Sequence, residues 1–188
     1  MSCISLLRRF GSDTRGVAAI EFALLVPIAT LMLLGVLEIC NYLLANQRTE
    51  KMAHTISDVV TQADSISVSE IKSILGATDE IMKPFPFSKR GHVVITSVHR
   101  NVGEGPEVAW QYEGGGSRAN SASKFGTLGK ASPLPAGFTI NERETVIITE
   151  VYYDYPPLVT KMFSDNPLIY KYAFYKPRLG ALDSLQQQ

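Results

Sequence analysis

One apolar run constrains this chain more than any other feature. Between Phe22 and Leu37 no residue is charged, and after Glu38 the apolar character resumes through Ile39, Cys40, Tyr42, Leu43, Leu44 and Ala45. Phe22 to Ala45 is about 24 residues, enough for a helix to cross a hydrocarbon core of roughly 30 Å. At 1.5 Å per residue, Glu38 lies about 24 Å beyond Phe22. A spanning helix would therefore hold Glu21 and Glu38 near its two interfaces. A cleaved secretory signal has a shorter apolar core, roughly 7–15 residues, and ends in a small-residue site. Here no A-x-A site follows, and LLANQRTEKMAH (43–54) continues as a helix.

Basic residues set the expected orientation. Arg8, Arg9 and Arg15 stand just ahead of the run. Positive charge is retained on the cytoplasmic side, so the N-terminus is expected inside and the chain after Ala45 exported to the periplasm. Pro27 falls within the run. It deletes the hydrogen bond to the Ala23 carbonyl and crowds that turn. Two readings stay open there: a proline that lipid-embedded helices tolerate, or a helix kink that serves as a hinge.

The run is preceded by a short basic leader, then Gly16, Val17 and, four residues on, Glu21 followed by Phe22. Gly16 has no Cβ, so the backbone there enters an extended protease groove at little steric cost. Glu21 lies one helical turn from Val17, on the same face. A carboxylate in a low-dielectric setting is costly unless paired. This order resembles the prepilin signature G-x-x-x-x-E-[FY] in its TadE/TadF/TadG-type form. The resemblance runs from Arg15 to about Ala63, through RGVAAIEFALLVPIATLMLLGVLEICNYLLANQRTEKMAHTISDVVTQA. It implies cleavage after Gly16 by an inner-membrane prepilin peptidase, which frees the amine of Val17. It also implies that Glu21 meets such an amine, its own or a neighbour's, during assembly with other pilin-like Tad subunits.

Beyond the membrane, Met52, Ile56, Val59, Val60 and Ala63 recur at helical spacing and predict one apolar stripe, packed on a sheet. SVSE (67–70) reads as a capping box that starts a second helix. Ile71, Ile74, Leu75, Ile81 and Met82 form its stripe, and Pro84 and Pro86 stop it. Strands are expected in HVVITSV (92–98), EVAWQYE (107–113), TVIITEVYYDY (145–155) and IYKYAFY (169–175), the first two joined as a hairpin by GEGP (103–106). In the second strand Val108, Trp110 and Tyr112 should share a face. A long Gly/Ser/Pro-rich stretch, 114–137, joins strands two and three. Loops of that length are functional or disordered; here it is expected to cover the sheet or to touch another subunit. The fold class is therefore α+β, pilin-like: an N-terminal transmembrane helix continues into an exported domain with a second helix on a roughly four-stranded antiparallel sheet. The organisation is a leader (1–16), a TadE-like span and extended helix (17–63) and an exported domain (64–188).

Signals for chemistry are missing. The formal net charge is +0, which gives no electrostatic footprint for nucleic acid. The two cysteines, Cys3 and Cys40, make no disulfide framework. His54, His92 and His99 are the only histidines, and no H-E-x-x-H occurs. Gly114–Gly116 lacks the lysine and hydroxyl residue of a phosphate loop, and no G-x-S-x-G is present. No catalytic residue, metal, cofactor or small-molecule substrate is expected. The resemblance implies a minor pilin or pseudopilin; the alternative is a single-pass inner-membrane protein presenting a periplasmic binding module.

Overall fold

The structure is a computed structural model that describes residues 16–119, 121–158 and 166–186. The basic leader with Arg8, Arg9 and Arg15 lies outside the described residues, as does Cys3. The chain divides into two compact units, Met1–Asn41 and Tyr42–Gln188. Helix α1 (Val17–Thr61) is one continuous element with Pro27 inside it. In the first unit it is apolar around its circumference, and its large side chains from Val17 to Ile39 are mostly exposed. The helix is long and apolar enough to cross a membrane. Glu38 is buried, although its place in the run suggests a headgroup-facing site.

In the second unit α1 becomes one-sided. Ala45, Met52, Ala53, Ile56 and Val60 are buried and join the main core. Their spacing of three and four keeps them on one stripe. Val59 does not belong to it: it is 43% exposed, because one step back from Val60 turns it about 100° off the packed face. Buried Thr49 and Thr61 return their hydroxyl protons to the carbonyls of Ala45 (2.8 Å) and Ser57 (2.9 Å). These two hydroxyls are thus satisfied by the helix's own backbone.

A four-stranded sheet holds β2 (Gly91–Arg100), β3 (Pro106–Gly114), β4 (Thr145–Asp154) and β5 (Leu168–Tyr175) in the order β3-β2-β4-β5. Every neighbouring pair is antiparallel. β4 is buried from Thr145 to Tyr153 on both faces, which explains why apolar residues occupy both parities of its sequence. The helix-facing core gathers Val93, Ile95, Trp110, Ile147, Val151, Tyr153, Ile169 and Ala173. The opposite face carries a second core of Val98, Val108, Phe125, Ile140, Val146 and Ile148. Trp110 and Val108 therefore lie on opposite faces, contrary to the alternation in the sequence. The cause is a bulge: Ser97 pairs with Trp110 and Val98 with Val108, leaving Ala109 as the extra residue.

The capping box forms as expected at α2 (Val68–Gly76): the Ser67 Oγ accepts from the Glu70 amide, and Glu70 accepts from the Ser67 amide. That bonding holds the Glu70 carboxyl below its usual range. The second helix does not run on to Met82. It breaks after Gly76 and restarts as α3 (Thr78–Met82), and a further turn, α4 (Phe87–Arg90), precedes β2. The break has a local cause. The Thr78 hydroxyl donates to Leu75 O at 2.8 Å and lies 3.1 Å from Gly115 O, so it competes with the helix ladder and ties the turn to the end of β3. On this side of the sheet Phe87 stacks on Tyr153 at 6.0 Å, and burial pushes the Tyr153 phenol up to about 12.

The tail after β5 straps the domain shut. Arg178 N–H donates to Thr61 O, and β6 (Leu185–Gln186) pairs in parallel with β1 (Ile66–Ser67). Leu182 is buried at φ 46°. Its carbonyl accepts from the Ser97 hydroxyl and the Trp110 indole, each at 2.8 Å. These two buried bonds hold a backbone conformation that a leucine otherwise avoids. Gly180 is required where the strap crosses the end of α1, since a Cβ there would lie 2.0 Å from Asp64 O.

We predict that Gly180→Ala destabilises the chain by about 1–3 kcal/mol, because backbone must move. Thermal unfolding should register a fall of about 2–4 °C per kcal/mol. An unchanged midpoint would mean that the strap is not seated on Asp64.

Candidate functional site

The residues singled out by the sequence collect at the start of α1. Gly16 immediately precedes the helix, and a Cβ built on it would meet nothing within 4 Å. Val17 is the first helical residue, and Glu21 and Phe22 follow in the second turn. Phe22 is 69% exposed, and Val17 and Ile20 are exposed beside it. Glu21 is also exposed. Among the described residues the backbone around Gly16 is thus sterically open, and a carboxylate one turn away stands among apolar side chains. Pro27 sits one and a half turns further along the same helix, whose assignment is unbroken across it. The nearby Thr30 hydroxyl donates to Val26 O at 2.8 Å.

The sequence reading missed a second polar centre. Glu150, in the middle of β4, is fully buried on the sheet face opposite α1. Its carboxylate accepts from four donors. The Ser123 hydroxyl makes a short bond, the Lys124 amide lies at 2.9 Å, the Tyr152 hydroxyl at 3.0 Å and the Tyr170 hydroxyl at 2.8 Å. Desolvation raises both phenols well above their ordinary range, and the Glu150 charge adds to it. A buried carboxylate of this kind is tolerable because its lone pairs are filled. Two of the donors come from the Gly/Ser-rich stretch, so Glu150 clasps that loop to the sheet. Phe125 buries itself beside Ile148, and the Ser132 hydroxyl donates to Phe125 O at 2.8 Å. Lys124 Nζ stands 3.7 Å from the Tyr170 ring centroid. Arg118 Nε and Asp154 approach to 3.0 Å, an ion pair off the hydrogen-bond angle. The loop therefore covers the sheet, one of its two expected roles. The available signal was a carboxylate, Glu150, in the middle of the strand TVIITEVYYDY with β-branched and aromatic residues on both sides.

The histidines stay apart. His92 lies 3.5 Å from Glu113, His99 bonds Thr145 at 3.0 Å, and His54 meets the Tyr175 hydroxyl at 3.4 Å. Among the described residues no group of His, Cys, Asp and Glu is placed to hold a metal ion. Gly114, Gly115 and Gly116 have packing reasons instead of a ligand. A Cβ on Gly116, for example, would lie 2.2 Å from Gly91 O.

Residues 16–57 match the family described as TadE-like protein. The match begins at Gly16 and ends inside the half of α1 that packs on the sheet. No curated protein and no solved structure matches the chain.

We predict that Glu150→Ala costs about 3–5 kcal/mol, since four donors lose their buried acceptor. Limited proteolysis should then cut the loop between Ser121 and Leu134 much faster than in the wild type. Equal cutting rates would show that the clasp does not hold the loop.

Proposed function

We propose that this chain is a minor pilin or pseudopilin, a structural subunit in the assembly of a Tad-type pilus or secretion apparatus and not an enzyme. One observation carries the reading: the TadE-like match starts at Gly16, where an open glycine precedes an apolar helix with a carboxylate in its second turn. On this reading α1 anchors the chain in the inner membrane with its N-terminus in the cytoplasm and the domain in the periplasm. A prepilin peptidase cuts between Gly16 and Val17. Phe22 and the apolar turns after it occupy lipid until the subunit joins other pilin-like Tad subunits, and Pro27 kinks the helix as it changes surroundings.

The physical task of Glu21 follows. At the headgroup level a carboxylate keeps water, so insertion costs little. Inside a packed helical bundle that water is lost, and the new Val17 amine of the same or a neighbouring chain is the matching cation. Two such charges at 4 Å attract by roughly 4 kcal/mol at an effective dielectric of 20. Desolvation offsets much of this, so the pair fixes register more than it adds affinity.

The mature N-terminus tests the processing step. Coexpressed with a Tad-type prepilin peptidase, the chain should have the intact mass of a product starting at Val17, and Gly16→Val should stay uncut because branching at Cβ resists the extended backbone. A wild-type product that retains residues 1–16 would remove the processing claim.

Glu21→Ala separates assembly from processing. It should insert and be cut normally yet lose most of its crosslinking to partner subunits. Wild-type levels of crosslinking by this variant would reduce Glu21 to an interfacial bystander.

A further inference from the structure

We infer that the outer edge of β5 is an interaction surface for a second copy of this chain, whose β3 edge continues the sheet. The inference rests on the membrane-anchored reading above and adds the contact that the exported domains make.

β5 is an edge strand with none of the usual protections. Edge strands are commonly shortened, bulged, interrupted by proline or studded with charge, because their unpaired N–H and C=O groups recruit other strands. β5 is eight residues long, LIYKYAFY, with an unbroken register to β4 and no proline. Its one charge, Lys171, is taken up by Glu50 at 3.3 Å. Among the described residues no backbone group pairs with its outer side. Leu168 and Tyr172 are nevertheless about half exposed there. The β3 edge differs along its length. Its first residues are covered by the loop, through Val108 to Lys130 and Gly129, and Ser132 to Pro106. From Ala109 to Gly114 no such cover occurs among the described residues.

Topology selects the partner strand. Three rungs join α1 to β5 and the strap: Glu50 to Lys171, His54 to Tyr175 and Asp58 to Arg178. Both sequences ascend together, so α1 and β5 run in the same sense. Copies anchored in one membrane all pass from span to domain in the same direction, and a row that repeats one orientation keeps their α1 segments in one sense. A two-fold antiparallel β5–β5 pairing would reverse one of them. β3, however, runs antiparallel to β2, which is antiparallel to β4, as is β5. β3 is therefore antiparallel to β5, and a copy displaced sideways presents it with α1 in the right sense. The contact is heterologous and does not close, so it extends into a row.

Side-chain faces narrow the register. Trp110 and Tyr112 face the α1 side with Lys171 and Ala173, while Gln111 and Glu113 share the other face with Tyr170 and Tyr172. Setting Gln111 opposite Tyr172 brings Glu113, half exposed, opposite Tyr170, on whose ring Lys124 rests. A carboxylate then meets a lysine at the seam.

The test is crosslinking of the full-length chain in membranes, with Cys3→Ser and Cys40→Ser removing the native thiols. Opposed antiparallel residues have Cα atoms about 4.5–5.5 Å apart, within reach of a disulfide. The pair Gln111→Cys with Tyr172→Cys should give a ladder of dimers and larger species under mild oxidation. Each single variant should give none. A photoreactive phenylalanine analogue at position 172, aromatic for aromatic, guards against misfolding, and its adduct should map to 109–114 of another copy. A ladder from Tyr172→Cys alone overturns the proposal, as does an adduct mapping elsewhere or the lack of any adduct. Membrane fractionation of the same samples reads the anchoring separately; an unanchored chain removes the shared sense of α1 and overturns the proposal at its premise.

Discussion

A single helix is apolar on every side in its first half and one-sided in its second, and the domain is organised by where it changes from one to the other. Up to the end of the first unit, α1 exposes apolar side chains around its circumference. From Ala45 the apolar positions thin to one stripe, while Arg48, Glu50 and Lys51 appear on the other sides. No cap or break marks the change. That stripe is the seed of the main core, since Met52, Ile56 and Val60 meet residues from α2, all four strands of the main sheet and the strap in one cluster. Each such side chain gains about 1.5–3 kcal/mol from burial. Without α1 the sheet would lose the central part of the cover on that face.

The remaining elements fix the helix rather than enlarge the core. The rungs at Glu50, His54 and Asp58 are spaced one turn apart and reach β5 and the strap. As partly exposed polar contacts each adds about 0–1 kcal/mol at most. Their value is directional, because a slide of α1 by one turn would mismatch all three. Buried groups hold the strap more firmly: Leu182 in the core, and its carbonyl shared between Ser97 and Trp110. Stability and register are thus carried by different contacts along one seam.

Much of this was legible in the sequence because it was written in periodicity. The long helix, the capping box at Ser67 and all four strands of the main sheet follow from apolar spacing, side-chain caps and β-branched runs. What stayed hidden depended on contacts between distant segments. The Ala109 bulge turns Val108 to the other face, and no local pattern announces it. The break after Gly76 needs Gly115, brought close by the sheet. β6 is two residues long and forms only because the strap is anchored at Leu182. Nothing in the strand around Glu150 announces its donors Ser123 and Lys124, which a distant loop supplies. The TadE-like stretch that starts at Gly16 was legible too, because its signal is contiguous and independent of tertiary structure.

Each face of the sheet carries its own hydrophobic cluster, and this limits how the domain meets other proteins. α1, the short helices and the strap occupy one face; the clasped loop occupies much of the other. The loop could not be shed without stripping the buried Glu150 carboxylate of two of its four donors, Ser123 and Lys124. Recognition through an open sheet face would therefore cost the fold its second core. Surfaces that need no such loss are the sheet edges, the polar sides of α1 and, on the pilin-like reading, the span itself. The span is apolar on every side and nearly featureless, so it supplies attraction with little orientation. On that reading orientation has to come from directional groups, and two are at hand: the carboxylate one turn into α1, and the outer edge of β5, which no backbone group pairs among the described residues.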